Sequence, residues 1–301
     1  MTFRRGAALT TAASLGFADN ADTGPTAGNG FYRRWPDDLA LLQDIGITDL
    51  RITLDWARLQ PKPGTLDGDW SERFTQILQA AGAIDLRTWI TLHDGSVPRW
   101  FDNEGGFDDV DALARWWPRW VEQAAETFGD LAQGWIPFAS IPADALRAPW
   151  SDTWGILGGG GAPVVASLGD VASIDLVEGR CDLLGVRLGA EHDDPEEDER
   201  DVTPDAALDA DAGRWGRRLR EHADALDVPV TVAGFDTGSV EGTVAGRIVE
   251  RLVAVLDEAV DDGVDLHSCF LEPAIAGPES TIGILDRDRS TTAVAAAYLP
   301  A

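Results

Sequence analysis

PDDLALLQDIGITDLRITLDWARLQPKPGTLDGDWSERFTQILQAAGAIDLRTWITL, residues 36–92, holds two helix-then-strand units back to back. In the first, Leu39, Leu42 and Ile45 share a helical face behind Pro36, a residue favoured in a first turn, and Gly46 ends the helix. A strand over 49–54 follows. In the second, Phe74, Ile77, Leu78 and Ala81 recur at i, i+3, i+4 and i+7, Gly82 stops the helix, and a strand spans 86–92. Apolar strands separated by amphipathic helices point to a parallel α/β fold.

The alternation continues outward. A tryptophan-rich helical stretch over 110–128 contains Pro118, which predicts a kink or break there. Strands are expected at 134–140, at 182–188 (DLLGVRL), from 228 to 233 (VPVTVA) and at 265–271, with a charged helix over 205–226. Ile248, Leu252, Val255 and Ala259 mark another helical face. Seven or so strands with helices between them predict a single (β/α)8 barrel domain over residues 1–301. A doubly wound open sheet is the runner-up. No GxGxxG or GxxxxGK[ST] follows any strand, however, and the four glycines at 158–161 lack a lysine and read as a loop.

Composition narrows the function. The net charge is −28, from 52 acidic residues against few bases, and Lys62 is the sole lysine. A field of that sign repels nucleic acid and anionic membranes and disfavours phosphorylated substrates. No stretch of about 18 apolar residues offers a membrane span. The run DDPEEDERD at 193–201 reads as a solvated acidic loop and lacks the ordered oxygen spacing of a calcium loop. Cys181 and Cys269 form no CxxC pair, and His93, His192, His222 and His267 show no ligand spacing, so no metal and no cofactor is expected. Residues 1–22 can pass for a secretion signal, but they are poor in leucine and fit a first strand better. The expectation is therefore a cytoplasmic protein, with export the alternative if residues 1–18 act as a signal. Twelve tryptophans against two tyrosines read mainly as helix packing, with Trp100, Trp150 and Trp154 as candidate sugar-stacking surfaces.

Several segments, in order along the chain, resemble glycoside hydrolase family 1, the β-glucosidase-like enzymes. Phe3, Gly6, Ala7 and Ala8 resemble the family's opening strand, and YRRWPDDLALLQDIG (32–46) is similar to its first helix, YxRYxEDIxLMKxLG. LRITLDWARLQP (50–61) resembles YRFSISWSRIxP and keeps Arg51, Trp56, Arg58 and Pro61. TLHDGSVP (91–98) stands where the family has TLHHWDLP, and Phe128-Gly129-Asp130 followed by Trp135-Ile136 resembles FGDxVxxWxTLNEP. DLLGV (182–186) resembles DFLGI, and IGILD (282–286) the late FGLVYVD segment. The resemblance implies a (β/α)8 barrel of β-glucosidase-like ancestry.

It also implies a damaged site. A retaining glycosidase needs two carboxyl groups about 5–5.5 Å apart, one acid/base and one nucleophile. By resemblance the acid/base glutamate falls at Ser140, or at Ile141 with one inserted residue. The nucleophile of the seventh strand falls at Gly234; a two-residue shift puts Asp236 there on the same strand face. Positions that read the sugar hold Ala13, Asp94, Gly95, Arg187 with Leu188, and Glu272. Arg51, whose family counterpart holds the nucleophile, then needs a partner among Asp94, Asp236 and Glu272. The chain is short between Trp150 and Asp182, where the fourth helix and fifth strand belong; APVVASL (162–168) reads as the remnant of that strand. The barrel is expected to be irregular or reduced around strands 4 and 5.

These readings predict a family barrel without retaining turnover. It would keep residual binding of carbohydrate or a protein partner, with Arg51, His93, Trp100 and Trp150 as the binding residues. The alternative is an active O-glycosyl hydrolase using relocated carboxylates, Asp94, Asp236 and Glu272.

Overall fold

The computed structural model describes residues 3–15, 28–139, 147–189, 204–238, 240, 242–278 and 282–300. Eight parallel strands form one sheet: β1 (Arg4–Leu9), β2 (Asp49–Thr53), β3 (Arg87–Thr91), β4 (Gly134–Trp135), β5 (Val165–Leu168), β6 (Leu183–Gly189), β7 (Val230–Asp236) and β8 (Leu266–Glu272). Their order is β4-β3-β2-β1-β8-β7-β6-β5. Because β1 pairs with both β2 and β8, the sheet curls round until β4 faces β5. Among the described residues that last seam carries one bridge, Trp135 to Val164, and a bond from Ser167 Oγ to the Ala139 carbonyl at 3.0 Å. The fold is a (β/α)8 barrel, nearly closed, with one unsealed seam. Residues 4–9, which also fitted a leader, form β1 between two partners.

The irregularity expected around strands 4 and 5 is present, but its anatomy is different. The fourth helix exists, over Arg147–Leu157. What is reduced is β4, two residues long, and the connection after β5, a 3-10 segment over Val171–Leu176. The strand expected at 134–140 stops early because Pro137 has no N–H to give the ladder.

Two prolines also correct the sequence reading. The helix Phe31–Asp44 begins five residues before Pro36, with the Phe31 N–H donating to Asn29 Oδ1 at 3.0 Å. Pro36 cannot bond the Tyr32 carbonyl, and Arg73 Nη1 donates to that oxygen instead, at 3.2 Å. The helix Val110–Phe128 runs unbroken through Pro118. A mid-helix proline costs about 3 kcal/mol. Burial of Leu113, Trp117, Trp120, Val121 and Phe128 on one face, at roughly 1.5–3 kcal/mol each, outweighs it.

Inside the strands, Ala8, Trp89, Ile136, Val165, Leu183, Ala233 and Phe270 form an inner plug. Trp89 fits because residue 134 is glycine; a Cβ there would lie 2.8 Å from Trp89 Cδ2. The Trp89 indole N–H donates to buried Asp49 at 2.9 Å, and Asp49 also accepts from Arg87 and Thr48. Burial acts to raise the Asp49 pKa, but these bonds hold it below the usual carboxylate range. The tryptophans largely pack helices: Trp56 stacks on Trp120 at 5.6 Å, and Trp117 on Phe138 at 4.5 Å.

Candidate functional site

Barrel chemistry sits at the C-terminal ends of the strands. There the described residues enclose a pocket of about 230 Å³, whose polar lining is Thr10, Arg51, Asp94, Arg187, Asp236 and Glu272. A larger hollow of about 570 Å³ lies at the opposite end, between the starts of β7 and β8, away from these groups.

The centre of the site is a buried ion cluster. Glu272, the last residue of β8, is 6% exposed. Arg187 of β6 grips it with both arms, Nη1 to Oε1 at 3.2 Å and Nη2 to Oε2 at 2.5 Å. Arg51 of β2, with no exposed surface, meets Oε1 through Nη2 and donates from Nη1 to the Ala233 carbonyl. Burial would raise the Glu272 pKa, but the two guanidinium groups overcome it and hold the carboxyl below its ordinary value. Of the three acids expected to neutralise Arg51, Glu272 is the one that does.

Strand register explains how these residues meet. Shifts between Val186 and Arg187, and between Val232 and Phe235, set Arg187 beside Gly234 and Asp236 beside Glu272. Gly234 matters because its side is not empty. A Cβ on it would stand 2.9 Å from Glu272 Cδ, closer still to Oε1, and 3.1 Å from Arg51 Nη1. The Glu272 carboxyl, entering from β8, fills the space a side chain of β7 would need.

Asp236 is exposed at the pocket rim, yet its surroundings strip enough water for desolvation to raise its pKa. The neighbouring Glu272 charge adds to the rise, while the Gly238 N–H, donating at 2.9 Å, and Arg187 oppose it. Across the barrel, Asp94 Oδ2 accepts from the Thr11 N–H at 2.8 Å, and its Oδ1 is buried without a hydrogen-bond partner. His93 lies behind Asp94 with its ring 4.5 Å from Phe107, and burial lowers its pKa, favouring the neutral form.

The structure thus brings Arg51, Asp94, Asp236 and Glu272 to one pocket, with His93 adjoining. It does not bring Trp100 or Trp150 there. Trp150 is wholly buried, with its indole N–H on the Arg180 carbonyl at 3.2 Å. Trp100 donates to the Gln60 carbonyl at 2.7 Å and packs edge-on against Trp56 and Trp116. These indoles are part of the packing and do not line the pocket. Arg187 was missed as a site residue; its signal was a charge at an inward position of the apolar strand DLLGVRL. Ser140, Ile141, His192 and the acidic run 193–201 lie outside the described residues. Burial pushes the Cys181 and Cys269 thiols up to about 12, which leaves both unreactive near neutral pH. Among the described residues no His, Cys, Asp and Glu cluster has the arrangement of a metal site, and no helix is long and apolar enough to cross a membrane.

The model of glycosyl hydrolase family 1 matches residues 17–147. Over that stretch the chain is similar to the β-glucosidase-like enzymes of glycosyl hydrolase family 1. Over 136 residues it is 26% identical to the 1,4-beta-D-glucan glucohydrolase of Thermotoga neapolitana, a stretch covering 45% of this chain and 30% of that protein. It is 25% identical over 109 residues to the human cytosolic beta-glucosidase, covering 36% of this chain and 23% of that protein. The matched stretch thus spans less than a third of these curated relatives. The fold likeness is wider. The Thermotoga maritima beta-glucosidase solved with deoxynojirimycin superposes with a TM-score of 0.75 at 14% identity, covering 98% of this chain and 96% of that one. The family 1 match in sequence ends before β5, so Arg187, Gly234, Asp236 and Glu272 belong to the half of the barrel that the fold likeness alone covers.

Proposed function

We propose that this family 1 barrel binds a compact polar ligand, of monosaccharide size or smaller, without hydrolysing glycosides by the retaining route. The observation that carries the reading is the Gly234–Glu272 arrangement. The β7 position that would present a nucleophile has no side chain, and the carboxylate filling its space has both oxygens held by arginine. A carboxylate so paired and 6% exposed is a counter-charge, poorly placed to attack an anomeric carbon. Neither Ser140 nor Ile141 can supply a carboxylic acid as proton donor. At about 230 Å³ the pocket is below the roughly 300–1,000 Å³ usual for small-molecule sites, which fits a single small sugar or polyol better than an oligosaccharide.

A second reading, hydrolysis by relocated carboxylates, draws support from the convergence of Asp94, Asp236 and Glu272 on one pocket. Asp236 and Glu272 are register partners on adjacent parallel strands, so they approach a ligand from the same side. A cleaving pair must flank the bond. This reading therefore pairs Asp94, across the barrel, with Asp236, whose raised pKa suits a proton donor.

The deciding experiment measures hydrolysis of aryl β-glucosides and β-galactosides by the wild-type chain, Asp94→Asn and Asp236→Asn, alongside monosaccharide binding by thermal shift. The proposal expects ligand-dependent stabilisation and no enzymatic release. Turnover by the wild type that either substitution abolishes would establish the second reading instead.

A further inference from the structure

Arg51 keeps its place in the barrel although β7 supplies it with no carboxylate. The charge it meets arrives from β8, and Arg187, a residue of β6, closes on the same group from the other side. We infer that Arg51, Arg187 and the bare backbone at Gly234 form a seat for one carboxylate group. The chain fills this seat itself with Glu272, and a small free monocarboxylate fills it when that side chain is absent.

Three features carry the inference. First, the contacts are those of a carboxylate receptor. Arg187 presents two N–H groups to the two oxygens, and the wholly buried Arg51 meets one of them from a different strand. Second, the seat has a fixed capacity of one. A side chain on residue 234 and the Glu272 carboxyl would occupy the same volume, as the 2.9 Å from a residue-234 Cβ to Glu272 Cδ shows. A carboxylate can therefore be presented from β7 or from β8, but not from both. Third, the seat is reachable. It borders the pocket, and the Arg187 side chain is 35% exposed, so a solute can approach once Glu272 is truncated. The void left by Glu272→Gly has the shape of propionate, the removed side chain with one added hydrogen.

The inference rests on Glu272 being a counter-charge, and the test separates the two ideas. Thermal unfolding of the full chain is followed by circular dichroism for wild type, Glu272→Gly, Glu272→Gln and Gly234→Glu/Glu272→Gly. Stranding two arginines should lower the Tm of Glu272→Gly by roughly 5–8 °C. Propionate or formate should restore it along a saturable curve, and chloride at equal ionic strength should not. The double variant should recover stability with no added anion, because β7 then supplies the carboxylate. Glu272→Gln keeps the volume but not the charge, so it should lose stability and gain nothing from propionate. If Glu272→Gly is unfolded, propionate should fold it. No greater effect of propionate than of chloride on Glu272→Gly, or an undiminished Tm for Gly234→Glu in the wild-type background, overturns the seat. Aryl glycoside turnover is read on the same variants. Wild-type turnover lost in Glu272→Gly and regained with formate would overturn the proposed function while leaving the seat standing.

Discussion

Gly234→Ala adds one methyl group at the centre of the ion cluster. That carbon would sit 2.9 Å from Glu272 Cδ, 3.1 Å from Arg51 Nη1 and nearer still to Glu272 Oε1. All three neighbours are side-chain ends, but the ion cluster pins each of them: Glu272 by two arginines and Arg51 by Glu272 and the Ala233 carbonyl. Relief requires Glu272 to retreat from Arg51, from Arg187, or from both. Overpacking alone costs about 1–3 kcal/mol, and separating a buried ion pair about 3–5 kcal/mol. Because the pair is displaced and not deleted, the expected loss is about 2–4 kcal/mol. Gly82→Ala is the control: that glycine is exposed near the end of the helix Gly68–Ala83 with nothing near its missing Cβ, so alanine should gain up to about 0.5–1 kcal/mol. Urea unfolding with an unchanged m-value reads both effects. In a Glu272→Ala background the Gly234→Ala penalty should shrink to about 1 kcal/mol or less, because Glu272 is gone and only Arg51 Nη1, at 3.1 Å, still crowds the new carbon. Wild-type stability for Gly234→Ala, or the same penalty with and without Glu272, would refute the shared-space geometry.

The same structure yields further expectations. Trp150→Ala should cost about 3–5 kcal/mol in urea unfolding while leaving ligand-dependent thermal shifts intact, since Trp150 is core and away from the pocket. Asp236 has a raised folded pKa, so its penalty is absent below the ordinary aspartate value of about 3.9 and grows as pH rises through the folded value. Asp236→Asn should therefore stabilise the protein at pH 7 but not at pH 3. Glu272 has a depressed folded pKa, so its stabilisation is present above about 4.3 and is lost as pH falls through the folded value; Glu272→Gln should flatten that acid limb. Amide hydrogens of β4 and β5 should exchange faster than those of β1 and β8. Ser167→Ala should widen that difference, at a cost of about 0.5–1.5 kcal/mol.

Local signals in the sequence were sufficient for the helix Gly68–Ala83, the strands around it and the order of the barrel. They failed where packing overrides propensity. Pro36 and Pro118 were read as boundaries, but Arg73 takes the carbonyl freed by Pro36, and a row of buried aromatic and aliphatic side chains holds the helix through Pro118. The acids of the pocket were legible as candidates because they stand at strand ends. Their arrangement was not. Whether Gly234 is vacant depends on a register shift in β7 and on a residue 38 positions later in β8, which no local pattern encodes. Arg187 was visible as an oddity in an apolar strand, but its partner was not. The tryptophans misled for a related reason: composition counts indoles without showing that the faces of Trp150 are covered by core.

Under the proposed function Glu272 is a counter-charge and not a nucleophile. A 2,4-dinitrophenyl β-glucoside tests this most directly, because its leaving group departs without a proton donor and only the nucleophile is then required. The predicted result is dinitrophenolate release by the wild-type chain indistinguishable from that of Glu272→Gln and of buffer. Faster release by the wild type, abolished in Glu272→Gln, would contradict it.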